Sequence, residues 1–335
     1  MSKTILVTGG AGYIGAHACK ALAKAGYEPV AYDNLVYGHR EAVRWGPLIE
    51  GDLSDRVLLT ETIRRHKIAA IIHFAAFAYV GESVEKPEKY FHNNVVNSFG
   101  LLETMLETGV KTIVFSSTCA TYGLPEKMPI REDTPQRPVN PYGESKLMIE
   151  RALYWHGQAH GIRNIALRYF NAAGADPDGE IGEGHDPETH LIPLILDAAM
   201  GRRAQIDVFG TDYPTPDGTA IRDYIHVQDL AEAHVLALRY LENGGASTAL
   251  NLGTGEGHSV RETIAAAKRI TGLPIPSRDT ARRAGDPPVL VADASLARRT
   301  LGWTPGLASL DRIIETAWAW HQRSHGAPKG KGDHR

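Results

Sequence analysis

Along most of the chain, short apolar runs alternate with amphipathic stretches of helical period. Thr4–Thr8 has the character of a buried strand, and a helical pattern follows it through Ala25. The alternation then repeats. Strands are expected at Glu28–Tyr32, Pro47–Glu50, Ala69–Phe74, Thr112–Ser117 and Asn164–Arg168, with helices over Pro87–Leu106 and from Pro141 onward. Such a rhythm predicts parallel strands joined by crossover helices. It breaks after Asn171, where residues 172–190 are rich in Gly, Asp and Pro and read as a long loop. Beyond it come a helix Leu191–Met200, a strand Ile206–Phe209, a helix His226–Tyr240, a strand Ala249–Leu252 and a helix Arg261–Thr271. The segment Arg282–Pro288 reads as a rigid, charged loop. A last helix is expected over Leu310–His325 with Ser309 as its cap, followed by a polar tail from Gly326 that is expected to be disordered.

The first strand runs into Gly9-Gly10-Ala11-Gly12-Tyr13-Ile14-Gly15 and then a helix. Glycines at 9, 12 and 15 permit a tight turn, backbone approach to a pyrophosphate and close helix–strand packing. The helix amino terminus then faces the phosphates. The second strand ends at Asp33, 18 residues past Gly15, where a carboxylate meets adenosine ribose hydroxyls. That acid favours NAD, because it repels the 2′-phosphate of NADP. Asp52, after the third strand, is placed either to meet the adenine amino group or to cap a helix starting near Asp55. Ser116-Ser117-Thr118 puts hydroxyls at the carboxyl edge of the fifth strand, as crevice groups or as turn chemistry. The expected architecture is α/β: a Rossmann-type doubly wound parallel sheet with a smaller, mostly C-terminal α/β substrate domain. The NAD-binding part is read as residues 1–172 with returning segments about 219–252. The substrate part is read as 173–218 and 253–327, with 328–335 as tail.

Composition narrows the function. The chain has 335 residues, 43% hydrophobic and 22% charged, enough for a sizeable core, with a net charge of only −3. Without a large basic block, nucleic acid is not an expected partner. No apolar run approaches the ~20 residues of a membrane helix, and strand residues begin too early for a signal peptide. Cys19 and Cys119 cannot build a disulfide framework, which fits a reducing cytoplasm. The 15 histidines include no HExxH and no partner CxxC, so no metal is expected.

Tyr142 and Lys146 stand four apart on the helix opened by Pro141, on one face and one turn from each other. A cation near a phenol favours the phenolate, so the pair is suited to exchanging a proton with a substrate hydroxyl near neutral pH.

Order and spacing of these motifs resemble the extended short-chain dehydrogenase/reductase superfamily, and within it the UDP-glucose 4-epimerase family. The matching residues are Gly9 to His17, Asp33-Asn34-Leu35, His73 to Ala76 with Val80 to Ser83, Asn93-Asn94, Ser116 to Gly123, Asn140 to Lys146, Arg168 to Asn171, Arg222 to His226 and Arg283 to Asp286. Together they span about residues 3 to 325.

The resemblance implies that Tyr142, Thr118 and Lys146 are catalytic. It implies that NAD is held by Gly9, Gly12, Tyr13, Ile14, Gly15, Asp33, Asn34, Asp52, Leu53, Phe74, Ala75, Ala76, Asn93, Ser116 and Tyr169, with Tyr142 and Lys146. It assigns the UDP-sugar to Thr118, Tyr142, Asn171, His190, Leu191, Phe209, Arg222, Tyr224, Arg283, Asp286 and Leu290. Within that set, Arg222 and Arg283 clamp the diphosphate, Asp286 and Tyr224 hold the uridine ribose, Phe209 packs on uracil, and Leu290 lines the far end of the sugar pocket. A homodimer is also implied, through the helices from Pro87 and Pro141 and apolar residues including Val95, Leu102, Leu147, Leu153 and Trp155. Three positions depart from the family pattern: Ala78 where a lysine is usual, Thr118 where serine is common, and His190 where asparagine is common. Rival readings are a 4,6-dehydratase, a UDP-pentose 4-epimerase and a non-catalytic NAD-sensing module. The first needs an Asp-Glu pair where Cys119-Ala120 stand. The second shares the whole machinery. The third has no use for Tyr142 and Lys146.

Overall fold

The computed structural model describes residues 2–283 and 285–326; the expected disordered tail lies outside the described residues from 327 onward. In chain order the first half contains β1 (Thr4–Thr8), α1 (Tyr13–Lys24), β2 (Glu28–Asp33), β3 (Leu48–Glu50), α2 (Arg56–Arg65), β4 (Ala70–His73), α3 (Val80–Glu85), α4 (Pro87–Tyr90), α5 (Asn97–Thr108), β5 (Thr112–Thr118), α6 (Pro141–His160) and β6 (Arg163–Tyr169). The second half contains β7 (Asn171–Ala173), α7 (Leu191–Ala199), β8 (Ile206–Phe209), β9 (Ile221–His226), α8 (Val227–Glu242), β10 (Thr248–Leu252), β11 (Gly257–Ser259), α9 (Val260–Thr271), β12 (Ser277–Thr280), β13 (Val289–Leu290), α10 (Ser295–Leu301) and α11 (Leu310–His325).

Seven parallel strands form the main sheet in the order β10-β6-β5-β4-β1-β2-β3. Its strands are apolar on both sides because helices cover both faces. Alternate residues feed two cores. Ile5, Val7, Ile72, Val114 and Ile165 meet Leu22 of α1 and Leu230 and Leu238 of α8. Leu6, Ile71, Ile113 and Phe115 meet Leu59 of α2, Leu101 and Met105 of α5, and Ile149 and Leu153 of α6. From β1 the chain winds outward through β2 and β3, then crosses to β4 on the other side of β1. That reversal opens a crevice at the carboxyl ends of β1 and β4, the usual place for a ligand in such sheets. The doubly wound architecture expected from the pattern is therefore present.

A four-stranded sheet joins β7, β9, β11 and β13, and β8 pairs with β12. Ile192 and Ile195 of α7, Ile264 of α9, and Ile313 and Ile314 of α11 form a third core beside them. Ser309 caps α11 by accepting from the Arg312 amide, as expected.

Strands β7, β11, β12 and β13 and helix α10 were not expected from the pattern, and two further differences bear on the site. The helix expected over Pro87–Leu106 is interrupted by a π-helical turn, Phe91–Val96. Its cause is Asn94, whose buried side chain accepts from the Phe77 amide at 2.8 Å and donates to the Phe77 carbonyl at 3.0 Å. Serving the Phe77 backbone favours the wider turn, a device common at functional sites. Strand β9 was not expected either. It is organised by Asp223, which accepts hydrogen bonds from the amides of Thr254, Gly255 and Ala292, all distant in sequence.

Helix α1 packs tightly on the glycine turn. A Cβ on Gly15 would lie 2.0 Å from the Gly9 carbonyl oxygen, whereas one on Gly81 in α3 would meet nothing within 4 Å. Gly15→Ala is expected to lose on the order of 1–3 kcal/mol through forced backbone shifts. Gly81→Ala is expected to be neutral or to gain up to ~1 kcal/mol from helix propensity. Urea unfolding of the two variants measures the contrast, and equal stabilities would contradict this packing.

Candidate active site

One large cavity, about 1420 Å³, lies over the carboxyl ends of the main sheet and extends to the smaller sheet. Every site residue expected from the sequence lines it, from Gly9 through Leu290. Three chemically distinct stretches follow one another along the wall.

The first is the glycine turn. Gly9, Gly12 and Gly15 line the cavity where α1 begins, and the first turn of α1 carries no acidic side chain. A Cβ on Gly9 would approach the Ala75 amide to 2.7 Å. This is a cradle of backbone donors that side chains would fill, and it fits a dinucleotide diphosphate. Asp33, buried at the end of β2, accepts from the amides of Ala11 at 2.9 Å and Leu35 at 2.8 Å. Burial raises its carboxyl pKa, while these backbone bonds pull the other way and fix its orientation. Asp52 accepts from Asn34 at 2.7 Å and from Ser54, so it is braced by its own loop. The cap of α2 is Asp55, not Asp52.

The second stretch is the hydroxyl cluster. Strand β5 delivers Ser116 and Thr118, and α6 delivers Tyr142 and Lys146 from the facing side. Asn140 caps α6 by accepting from the Gly143 amide at 2.8 Å, which sets Tyr142 in the first turn. Lys146 is only 2% exposed and donates to the Ser116 carbonyl at 2.8 Å. Its Nζ lies 6.0 Å from the centre of the Tyr142 ring. Ser116 hydrogen-bonds in turn to the Tyr169 hydroxyl. Below the cluster, His73 is wedged between Thr8 at 2.6 Å and Ser98 at 2.9 Å, and burial holds its pKa down at about 3.

Lysine proximity, together with the positive nicotinamide, was expected to depress the tyrosine pKa. Burial acts in the opposite direction and pushes the Tyr142 phenol up to about 12, with Thr118 lowering it. Burial also pushes Lys146 down to about 7, against the attraction of Glu150. The physical reason is desolvation. Both groups lie in the same water-poor pocket, so each resists its charged form.

The third stretch is cationic. Arg222 forms an ion pair with Asp286, and the Arg283 guanidinium lies 4.0 Å from the centre of the Phe209 ring. Phe209, expected against uracil, thus has one face covered by Arg283. Tyr224 is buried, and burial raises its phenol pKa while Thr263 lowers it. Leu290 packs beside Cys119, Tyr122 and Phe170 at the end of the cavity nearest the hydroxyl cluster.

His190 sits where α7 begins, within a knot formed with Glu183, His185 and Glu188. Burial lowers each imidazole pKa, but the two carboxylates outweigh it and raise His185 to about 9 and His190 to about 10. Sequence reasoning missed three of these four, because the segment reads as a turn-rich loop. The spacing of His185, Glu188 and His190 was the available signal. Tyr37, Tyr79 and Arg203 also line the cavity, and no local pattern marks them.

Comparison with known proteins agrees with this geometry. The NAD dependent epimerase/dehydratase family matches residues 5–253. A UDP-glucose 4-epimerase of Rhizobium leguminosarum bv. trifolii is 53% identical over 323 residues, covering 96% of this chain and 98% of the relative. The crystal structure of UDP-glucose 4-epimerase from Brucella ovis in complex with NAD is 54% identical with a TM-score of 0.93, covering 95% of this chain and 98% of that one. A UDP-glucose 4-epimerase structure from Stenotrophomonas maltophila, with bound NAD and formylated UDP-arabinopyranose, is 41% identical with a TM-score of 0.93, covering 96% and 98%. The chain belongs to the NAD dependent epimerase/dehydratase family and, within it, to the family of UDP-glucose 4-epimerases.

Proposed function

We propose that this chain interconverts UDP-galactose and UDP-glucose by NAD-dependent epimerisation at C4. The observation that carries the reading is Tyr142, Thr118 and Lys146 gathered at the cavity wall between a diphosphate cradle and a pair of arginines. NAD, when bound, accepts and returns the C4 hydride and brings a positive ring beside the tyrosine. Tyr142 takes the proton of the sugar 4-hydroxyl and returns it to the 4-keto oxygen when hydride is delivered to the opposite face of C4. Thr118, which lines the cavity beside Tyr142 and lowers its pKa, shares that proton. Lys146, with its ammonium held on the Ser116 carbonyl, orients the ribose on the nicotinamide side. Asn93 and Tyr169 complete that wall, and Arg222 and Arg283 receive the substrate diphosphate as forked donors. In this reading, cofactor contacts fall to residues 1–172 with 219–252, and most sugar-nucleotide contacts to 173–218 and 253–327. Strand β10 and helix α8, packed in the main sheet's core, support the returning segment, whereas β9 (Ile221–His226) pairs within the smaller sheet. The two cysteines are free and buried, which fits a reducing cytoplasm. A UDP-pentose reading is favoured by one relative, the Stenotrophomonas structure with a UDP-arabinopyranose derivative.

Incubating the purified protein with UDP-galactose is expected to produce UDP-glucose, followed by NMR. No conversion of UDP-galactose, with turnover of UDP-xylose instead, would move the assignment to the pentose. In Tyr142→Phe the ring and its packing stay while the proton donor goes. Turnover is expected to fall on the order of 10²–10⁴-fold with the fold intact by circular dichroism. A kcat within a few-fold of the parent enzyme would remove Tyr142 from the acid–base role.

Leu290 has the bulk to crowd a 2-acetamido group but no hydroxyl with which to hold a sugar. Leu290→Ala is expected to shift kcat/KM toward UDP-N-acetylgalactosamine over UDP-galactose by about ten-fold, as ~1.4 kcal/mol of relieved crowding predicts. An unchanged ratio would show that another residue shapes the pocket.

The chain is proposed to act as a homodimer, though of the side chains expected at the contact only Trp155 is exposed. Val95, Leu102, Leu147 and Leu153 are buried in the protomer's own core. A different apolar face remains. Trp155 is 65% exposed, and Tyr154, Met148, Phe99 and Val96 are exposed with it on α6, α5 and the π turn. Phe99 and His156 rings, 6.4 Å apart, link the two helices into one surface. An apolar face of this kind marks an interaction site. Light scattering at micromolar protein is expected to give twice the chain mass, and Trp155→Glu with Phe99→Glu to give the monomer. A monomeric parent protein would contradict the assignment.

A further inference from the structure

Glu183, His185, Glu188 and His190 place one ligand atom each within 4.8 Å of all the others. Glu183 Oε1 lies 3.1 Å from His185 Nδ1 and 2.9 Å from His190 Nδ1. The Glu188 carboxylate lies 2.8 Å from His190 Nδ1 and 3.7 Å from His185 Nδ1. Each imidazole therefore offers the same nitrogen to two carboxylates. A single N–H proton points along one direction and serves one acceptor well. Two imidazole nitrogens thus face Oε1 of Glu183 and both oxygens of Glu188, an arrangement suited to ligands around a common centre. The separations lie near the ~3.3 Å edge of a tetrahedron whose bonds are ~2.0–2.1 Å, the zinc–imidazole and zinc–carboxylate length.

Among the described residues, no Lys or Arg pairs with Glu183 or Glu188, whose side chains are 7% and 14% exposed. Their positive partners are the protonated imidazoles of His185 and His190, and a divalent ion would take over that charge as it displaces the imidazole protons. The contrast is the group Asp176, Asp178 and Glu180, where the Lys20 ammonium stands 2.7, 2.8 and 2.5 Å from the three carboxylates and fills the role of the ion.

We infer that Glu183, His185, Glu188 and His190 bind one divalent transition-metal ion of the zinc class, which ties the 183–190 segment to the start of α7. Two imidazoles and two carboxylates suit zinc better than calcium or magnesium, which prefer all-oxygen shells. The ion would cross-link a segment that lacks regular secondary structure. It would also firm the cavity wall on which the Tyr13 and Tyr79 rings rest edgewise against His185, at 6.2 and 6.1 Å. This inference departs from the sequence-based expectation of no metal and does not depend on the substrate assignment.

The test uses the full chain, stripped with a chelator, dialysed, and titrated with zinc chloride by calorimetry at mildly alkaline pH, because metal must displace imidazole protons. Cobalt(II) titration reads the geometry through its visible absorption. One zinc per chain, an intense tetrahedral cobalt spectrum and a zinc-dependent rise in melting temperature are expected. Glu183→Gln and His185→Ala, checked for folding by circular dichroism, are each expected to weaken zinc binding by at least the ~100-fold that even outer-shell changes can cost. If one variant fails to fold, the other carries the comparison. Absence of stoichiometric binding to the folded parent protein would overturn the inference. Zinc binding that survives in a folded variant would do the same, since it would place the ion elsewhere.

Discussion

The carboxylate of Glu150 holds helix α6 against the sheet, and the geometry of the hydroxyl cluster rests on it. Glu150 lies one turn beyond Lys146 on α6. It accepts from the Ser117 hydroxyl of β5 and from Arg168 of β6, whose Nη2 stands 2.6 Å away and whose Nε lies 3.0 and 3.2 Å from the two oxygens. Arg168 also donates to the Tyr122 hydroxyl at 2.9 Å, and Tyr122 donates to Asn251 of β10 at 2.6 Å. One buried network thus spans a helix and three strands. Such a pair adds little net stability over apolar packing, but removing one partner costs ~3–5 kcal/mol. Its directional demands are what matter here. Bidentate geometry fixes the rotation of α6 about its axis, and with it where Tyr142 and Lys146 point.

That placement creates the electrical character of the cavity. Tyr142, Lys146 and His73 are all withdrawn from water, and burial drives each toward its neutral form. A positive cofactor ring beside Tyr142 would favour its charged form, because Coulomb interactions are strong where water is scarce. The two ends of the cavity differ from this middle. One offers a helix amino terminus, the other Arg222 and Arg283, so the cavity suits two diphosphate-bearing molecules, one at each end, whose neutral reacting groups meet in the middle.

Much of this was legible in the chain itself. The strands from Thr4 to Tyr169, the glycine turn, Asp33, and the Tyr142–Lys146 spacing are local features. Their periods and offsets are dictated by backbone geometry within a few residues, so a sequence carries them intact. The final helix and its Ser309 cap were readable for the same reason.

Other features depend on residues far apart in the chain. The π turn exists because Asn94 serves the backbone of Phe77. Strand β9 exists because Asp223 gathers three distant amides. Whether Leu102 or Trp155 faces a partner was decided by which side of the helix met the main sheet. The direction of the Tyr142 pKa was decided by burial, which a motif does not record. Likewise, His185, Glu188 and His190 are visible as letters, but only folding brings Glu183 against them. Sequence by itself determined what each segment can form and which chemistry it carries. Tertiary structure decided which groups lose water and which meet, because desolvation and long-range contacts are properties of the packed chain.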